Sequence, residues 1–174
     1  MKHETLKTTG APSLEELRAT PAFPTREDFL RGPIAVIECV EEIPCNPCET
    51  ACPKGAIKVG QPITNLPIMD FRLCTGCGRC IAACPGLAIY IKDYTYSEDE
   101  ALITFPFEYL PLPQKNENVT LVNRMGEAIC QGKVKTVINA KINDCTTLIS
   151  VIFPKVYFDD VVSIQRLPVE EICH

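Results

Sequence analysis

Tryptophan is absent from this 174-residue chain, and its only two histidines, His3 and His174, stand at the termini. With no internal imidazole, a histidine-based acid–base site is not expected. No GxGxxG lies between a strand and a helix, so the chain shows no phosphate cradle with which to bind a flavin or nicotinamide dinucleotide by itself. No apolar run is long enough to span a bilayer, and the opening residues MKHETLKTTGAPSLEELR lack the apolar core of a signal peptide. The expectation is a cytoplasmic protein without a membrane span. A surplus of positive charge is also missing: the formal net charge is −5, which argues against nucleic acid as partner. The 46% of apolar residues argues for an ordered chain.

What the chain has in excess is cysteine, eleven of them, and proline, fifteen. Cys74 to Pro85 reads CTGCGRCIAACP, a C-x2-C-x2-C-x3-C-P run. This is the ligand spacing of a bacterial-type [4Fe-4S] ferredoxin, in which three thiolates wrap one cluster and the fourth serves a neighbour. Gly76 and Gly78 lie between ligands, where a missing Cβ permits close backbone approach and positive φ. ACPKGAIKV at 51–59 repeats as ACPGLAIYI at 83–91, 32 residues later. The repeat maps Cys45, Cys48 and Cys52 onto Cys77, Cys80 and Cys84, and Glu42 onto Cys74, so the upstream run lacks its usual first thiol. Cys39 is the nearest replacement, with the Glu42 carboxylate as the competing fourth ligand. Paired reciprocally, Cys39, Cys45, Cys48 and Cys84 would hold cluster I, and Cys52, Cys74, Cys77 and Cys80 cluster II. Disulfides or zinc are the alternative uses of such cysteines, but zinc needs two separated pairs rather than interlocking runs that end in proline. Two clusters, each adding about −2 with its thiolates, would take the charge to about −9. Cys130, Cys145 and Cys173 read as small buried hydrophobes or incidental thiols.

Four segments are expected. Residues 1–32 form an arm with short helices that start at Ser13 and Thr25. Residues 33–95 form an α+β dicluster ferredoxin fold of two pseudo-twofold β-α-β halves, with IAVIEC pairing near AIYIKDY. Residues 96–115 form a stiff proline–aromatic connector, whose Phe105, Phe107 and Tyr109 either seal a seam or dock on another chain. Residues 116–174 form a small all-β barrel, SH3-like or OB-like, with turns at Arg124–Glu127, Gln131–Gly132 and Asn143–Asp144.

CNPCETACPKGAI with MDFRLCTGCGRCIAACPGLAI resembles the dicluster bacterial ferredoxins. The wider layout, RGPIAVIECVEEIPCNPCETACP followed by FPFEYLPLP and a VNRMGE turn, resembles the 4Fe-4S subunit of multi-subunit flavin-dependent dehydrogenases acting on amino acids or amines such as proline or hydroxyproline. That resemblance implies a non-catalytic electron relay with an FAD-bearing subunit and a [2Fe-2S] subunit as partners. A free ferredoxin carrier and a structural or sensory iron–sulfur protein are the competing readings.

Overall fold

A computed structural model describes residues 4–144 and 146–168; His3, Cys145, Cys173 and His174 lie outside the described residues. The chain opens with three helices of four to six residues, α1 (Glu4–Thr9), α2 (Leu14–Arg18) and α3 (Arg26–Phe29). Helices this short do not persist alone. α2 is held by a capping box in which the Ser13 Oγ accepts from the Glu16 N–H and the Glu16 carboxylate accepts from the Ser13 N–H at 2.7 Å. Thr25 and Asp28 repeat that arrangement at α3. Tertiary packing supplies the rest: Leu17 is fully buried, and the Phe29 ring meets Phe158 edge-on at 4.8 Å.

β1 (Ile34–Ile37) leads into α4 (Pro47–Ala51), the short strands β2 (Ile57–Lys58) and β3 (Ile68–Met69), α5 (Arg79–Ala83) and β4 (Ile89–Asp93). β1 pairs antiparallel with β4, and β2 with β3. The chain continues through β5 (Glu100–Phe107), β6 (Asn118–Val122), β7 (Ala128–Ile138), β8 (Thr147–Pro154) and β9 (Ser163–Ile164). Seven strands form one antiparallel sheet in the order β1-β4-β5-β8-β7-β6-β9, and the fold is mixed α/β. Among the described residues no helix is long and apolar enough to cross a membrane.

The sheet departs from several expectations. The C-terminal strands do not close into an SH3-like or OB-like barrel: β1 and β9 end the sheet on either side, and the sheet runs across the boundaries expected at 95 and 115. The physical reason is β5, which pairs with β4 on one side and β8 on the other and so adds the later strands to the earlier ones. Proline at 106 does not prevent this, because the last β4 pairing is at Thr104 and Pro106 lies on the stretch of β5 that has β8 alone as neighbour. Phe105 and Phe107 therefore point into this chain's own core, at 1% and 3% exposure, whereas Tyr109 and Leu110 are exposed. Gln131–Gly132 is not a turn but lies inside the eleven-residue β7. Glycine is needed there for space, since a Cβ on Gly132 would stand 2.5 Å from the Leu121 side chain and 2.7 Å from the Ile152 carbonyl oxygen. The turn at Asn123–Glu127 is present, with Gly126 at φ 78°.

Strand alternation separates two cores. Ile34, Val36 and Tyr90 face one side, with Ile103, Phe105, Val134, Ile149 and Phe153. Ala35, Ile37, Ile89 and Ile91 face the other, with Ile57, Met69 and Ile81, and against this second core pack Cys39, Cys48, Cys52, Cys74 and Cys84.

Candidate metal centre

Two hollows lie on the cysteine-bearing side of β1 and β4. Site II is lined by Cys52, Cys74, Cys77 and Cys80 together with Ala35, Ile57, Met69 and Ile91. Site I is lined by Cys39, Cys45, Cys48 and Cys84 together with Ile37, Val59, Pro67 and Ile89. Cys39 therefore sits with the other site I thiols, whereas Glu42 is exposed and does not line the hollow; the carboxylate that does is Glu41.

Local structure explains how each run serves both sites. α4 carries Cys48 and ends on Cys52; α5 carries Cys80 and ends on Cys84. Both C-terminal cysteines leave helical geometry, Cys52 at φ −79°, ψ 107° and Cys84 at φ −83°, ψ 109°. Each five-residue helix thus starts at one hollow, and its terminal cysteine faces the other. Pro53 and Pro85 follow, and neither can continue a helix. Gly76 takes φ 63°, and a Cβ there would lie 2.7 Å from the Pro33 carbonyl oxygen, so the Cys74–Cys77 loop can pass β1 only as glycine.

The thiols sit in unequal surroundings. Burial, then the neighbouring Cys74 and Cys77, pushes the Cys80 thiol up to about 12; burial, then Cys84, pushes Cys48 up to about 11. Burial also raises Cys39, with Cys84, Cys45 and Glu41 adding to it. At Cys52 burial is outweighed by backbone N–H groups led by Ala56, and the thiol is held below its ordinary value. The Ala56 N–H donates to the Cys52 Sγ at 3.2 Å and the Ala35 N–H to the Cys74 Sγ at 3.5 Å. Thiols raised in this way would become thiolates only as bound metal displaces their protons.

The residues fit a polynuclear group. Each hollow has four sulfur donors, a lining that is otherwise mostly apolar and no histidine, and all cysteines among the described residues are free of disulfides. Among those residues, no three metal-binding side chains converge on a point that a single ion could occupy. Four thiols spaced around a hollow suit an iron–sulfur cube rather than mononuclear zinc. Cys130, half-buried against the larger core with its thiol raised by burial, lies in neither hollow.

One group of partly and fully buried polar residues carries no motif in the sequence. Glu38 precedes Cys39 and receives Arg124 in a two-pronged ion pair, with the Arg124 Nε at 3.0 and 3.1 Å from the two carboxylate oxygens. The Tyr90 hydroxyl also donates to Glu38, and Arg124 donates to the Asp159 carbonyl oxygen. Beside it, buried Lys92 donates to the Phe158 carbonyl oxygen. A lysine within the apolar IYIKDY strand is the only sign of this group in the sequence.

Comparison with known proteins agrees with this chemistry. Two family profiles, each described as a 4Fe-4S dicluster domain, match residues 38–88 and 66–148. The chain is 42% identical over 50 residues to one subunit of an ion-translocating oxidoreductase complex of Methanosarcina acetivorans, covering 29% of this chain and 18% of that protein. It is 33% identical over 61 residues to the ferredoxin-type protein NapF of Haemophilus influenzae, covering 34% and 35%. It is 31% identical over 75 residues to the polyferredoxin-like subunit of an aliphatic sulfonate oxidoreductase of Pyrococcus furiosus, covering 43% and 38%. The chain thus spans between 18% and 38% of the length of these relatives. No solved structure matches it. The protein carries two [4Fe-4S] clusters.

Proposed function

We propose that this two-cluster chain is a non-catalytic electron relay within a cytoplasmic oxidoreductase complex, with Cys39, Cys45, Cys48 and Cys84 holding cluster I and Cys52, Cys74, Cys77 and Cys80 holding cluster II. The observation that carries it is the exchange of Cys52 and Cys84 between the two hollows, which ties both clusters into one core. A structural role would need one cluster; two linked ones suit passage of electrons. When bound, the clusters supply one-electron chemistry. The chain's own residues orient them through α4 and α5, exclude water with Ile37, Ile57, Ile89 and Ile91, and set their charge environment. Two of the relatives bear the names of oxidoreductase complex subunits, which supports a role inside an assembly. The further reading, from the resemblance of the wider layout, is a complex with an FAD-bearing dehydrogenase subunit and a [2Fe-2S] subunit that oxidises an amino acid or amine such as proline or hydroxyproline.

The test is anaerobic purification of the native protein with identification of what accompanies it. Stoichiometric recovery of a flavoprotein whose flavin reduces these clusters on addition of an amino acid or amine supports the proposal. A lone chain that accepts electrons from many unrelated reductases at similar rates makes it a free ferredoxin.

A further inference from the structure

The two hollows are built from repeated sequence, so each offers a control for the other. At site II, Lys54 lines the hollow two residues after Cys52, and Arg79 stands between Cys77 and Cys80; both are exposed. The repeat places Gly86 and Pro47 at the equivalent positions of site I. Site I has instead Glu41 in its lining and Glu42 beside it, both exposed, where the repeat gives site II Leu73 and Cys74. Among the described residues none of these four charges lies within ion-pair distance of an opposite charge. Neighbouring charges do not blur the contrast. Lys58 faces Glu49 at 3.8 Å, Arg72 faces Asp70 at 3.1 Å, and Glu38 is matched by Arg124.

Hydrogen bonding runs the same way. Both backbone N–H groups that reach a cysteine sulfur among the described residues, Ala56 to Cys52 and Ala35 to Cys74, do so at site II. At site I the backbone amides of Glu41 and Glu49 also act on Cys39 and Cys48, so the contrast in amide donation is one of degree. A reduced cluster carries one more negative charge than an oxidised one. Nearby cations and N–H donors to sulfur favour that extra charge, and nearby carboxylates oppose it.

We propose that Lys54 and Arg79 at site II, set against Glu41 and Glu42 at site I, give the relay a fixed polarity in which site II has the higher potential and a single electron resides there. In the internal step, cluster I returns from the reduced to the oxidised state as cluster II gains the electron, with no proton or bond exchanged. The electron comes, under the relay reading on which this rests, from a reduced flavin on a partner. It enters beside Glu41 and comes to rest on the site II cluster, beside Lys54 and Arg79.

The experiment is an anaerobic redox titration of the isolated holoprotein followed by EPR, with Cys45→Ser and Cys77→Ser assigning each signal to its site. The expected result is that the site II signal appears first as the potential is lowered. Lys54→Glu with Arg79→Glu should move the site II midpoint downward and leave site I in place. Glu41→Lys with Glu42→Lys should move site I upward, and the four changes together should reverse the order of reduction. All four side chains are exposed, so iron and sulfide content should stay at the native level. Reduction of site I first, or equal shifts or no shift at both sites in the variants, overturns the polarity. No partner is needed for this titration, so the relay reading is judged separately by whether a flavoprotein accompanies the native chain.

Discussion

Between Cys39 and Cys84 no element is longer than five residues, whereas β7 alone runs for eleven and its neighbour β8 for eight. The first region directs four thiols at each of two hollows through prolines, tight turns and helices too short to stand alone. The second buries Ile103, Phe105, Val134, Ile149, Val151 and Phe153 in a continuous sheet. One region is held by what it binds and the other by apolar burial, and they meet along the β4–β5 ladder and at the Glu38–Arg124 pair.

Removing the metal should break this comparison most strongly. Because ligand binding free energy is folding free energy in a small metal-dependent region, anaerobic chelation should unfold residues 39–84. Hydrogen exchange should then show lost protection in α4 and α5 and retained protection in β5, β7 and β8. Uniform loss across both regions would show that the sheet has no stability of its own. The next effect acts on the other side. Phe105→Ala removes a fully buried ring and should cost about 3–5 kcal/mol in anaerobic urea unfolding. If Phe105 met a partner rather than this chain's own core, the isolated protein would lose almost nothing.

Arg124→Met tests the tie between the regions. It strands the partly buried Glu38 carboxylate, and the stability loss should be about 2–3 kcal/mol, at or just below the lower end of the range for breaking a fully buried pair. Glu38→Gln with Arg124→Met should recover much of it, and failure to recover would mean that Arg124 acts through its Asp159 contact instead.

The last effect is a pH dependence. Burial, and then the Arg124 guanidinium, lowers the Lys92 ammonium from 10.5 to about 7, against the opposing pull of Glu38, Asp159 and Asp160. Between pH 7 and 10.5 the unfolded chain therefore holds a proton that the folded chain has given up. Stability contributed by this group rises with pH across that window and falls away as pH drops toward 7, staying level below it. Lys92→Met should flatten that part of the anaerobic unfolding profile, and an unchanged slope would place its origin elsewhere.

The cysteine region was the more legible in sequence, because ligand spacing and a repeat of nine residues are one-dimensional signals that survive without knowledge of packing. The β1–β4 pairing and the helix starts at Ser13 and Thr25 were legible for similar reasons. β5 was not. ALITFPF alternates buried Ala101, Ile103, Phe105 and Phe107 with less buried residues, a period of two that marks a strand. Pro106 hid it, since a proline is tolerated only where the strand has lost one neighbour, and that is a property of the sheet rather than of the segment. Gly132 misled for a related reason: a glycine required for close packing across a sheet looks the same in sequence as one required for a turn. The Glu38–Arg124 pair joins residues 86 positions apart and leaves no local pattern.

The central claim is that two clusters are held by interlocking ligand sets, and Cys52→Ser tests it most directly. In the native protein, about eight iron and eight acid-labile sulfide per chain are expected. Cys52→Ser should damage the same EPR signal as Cys77→Ser, although Cys52 belongs to the other cysteine run, and should leave the signal lost in Cys45→Ser intact. Loss of the Cys45 signal in Cys52→Ser, or a native chain with iron near four or with stoichiometric zinc, would contradict the account.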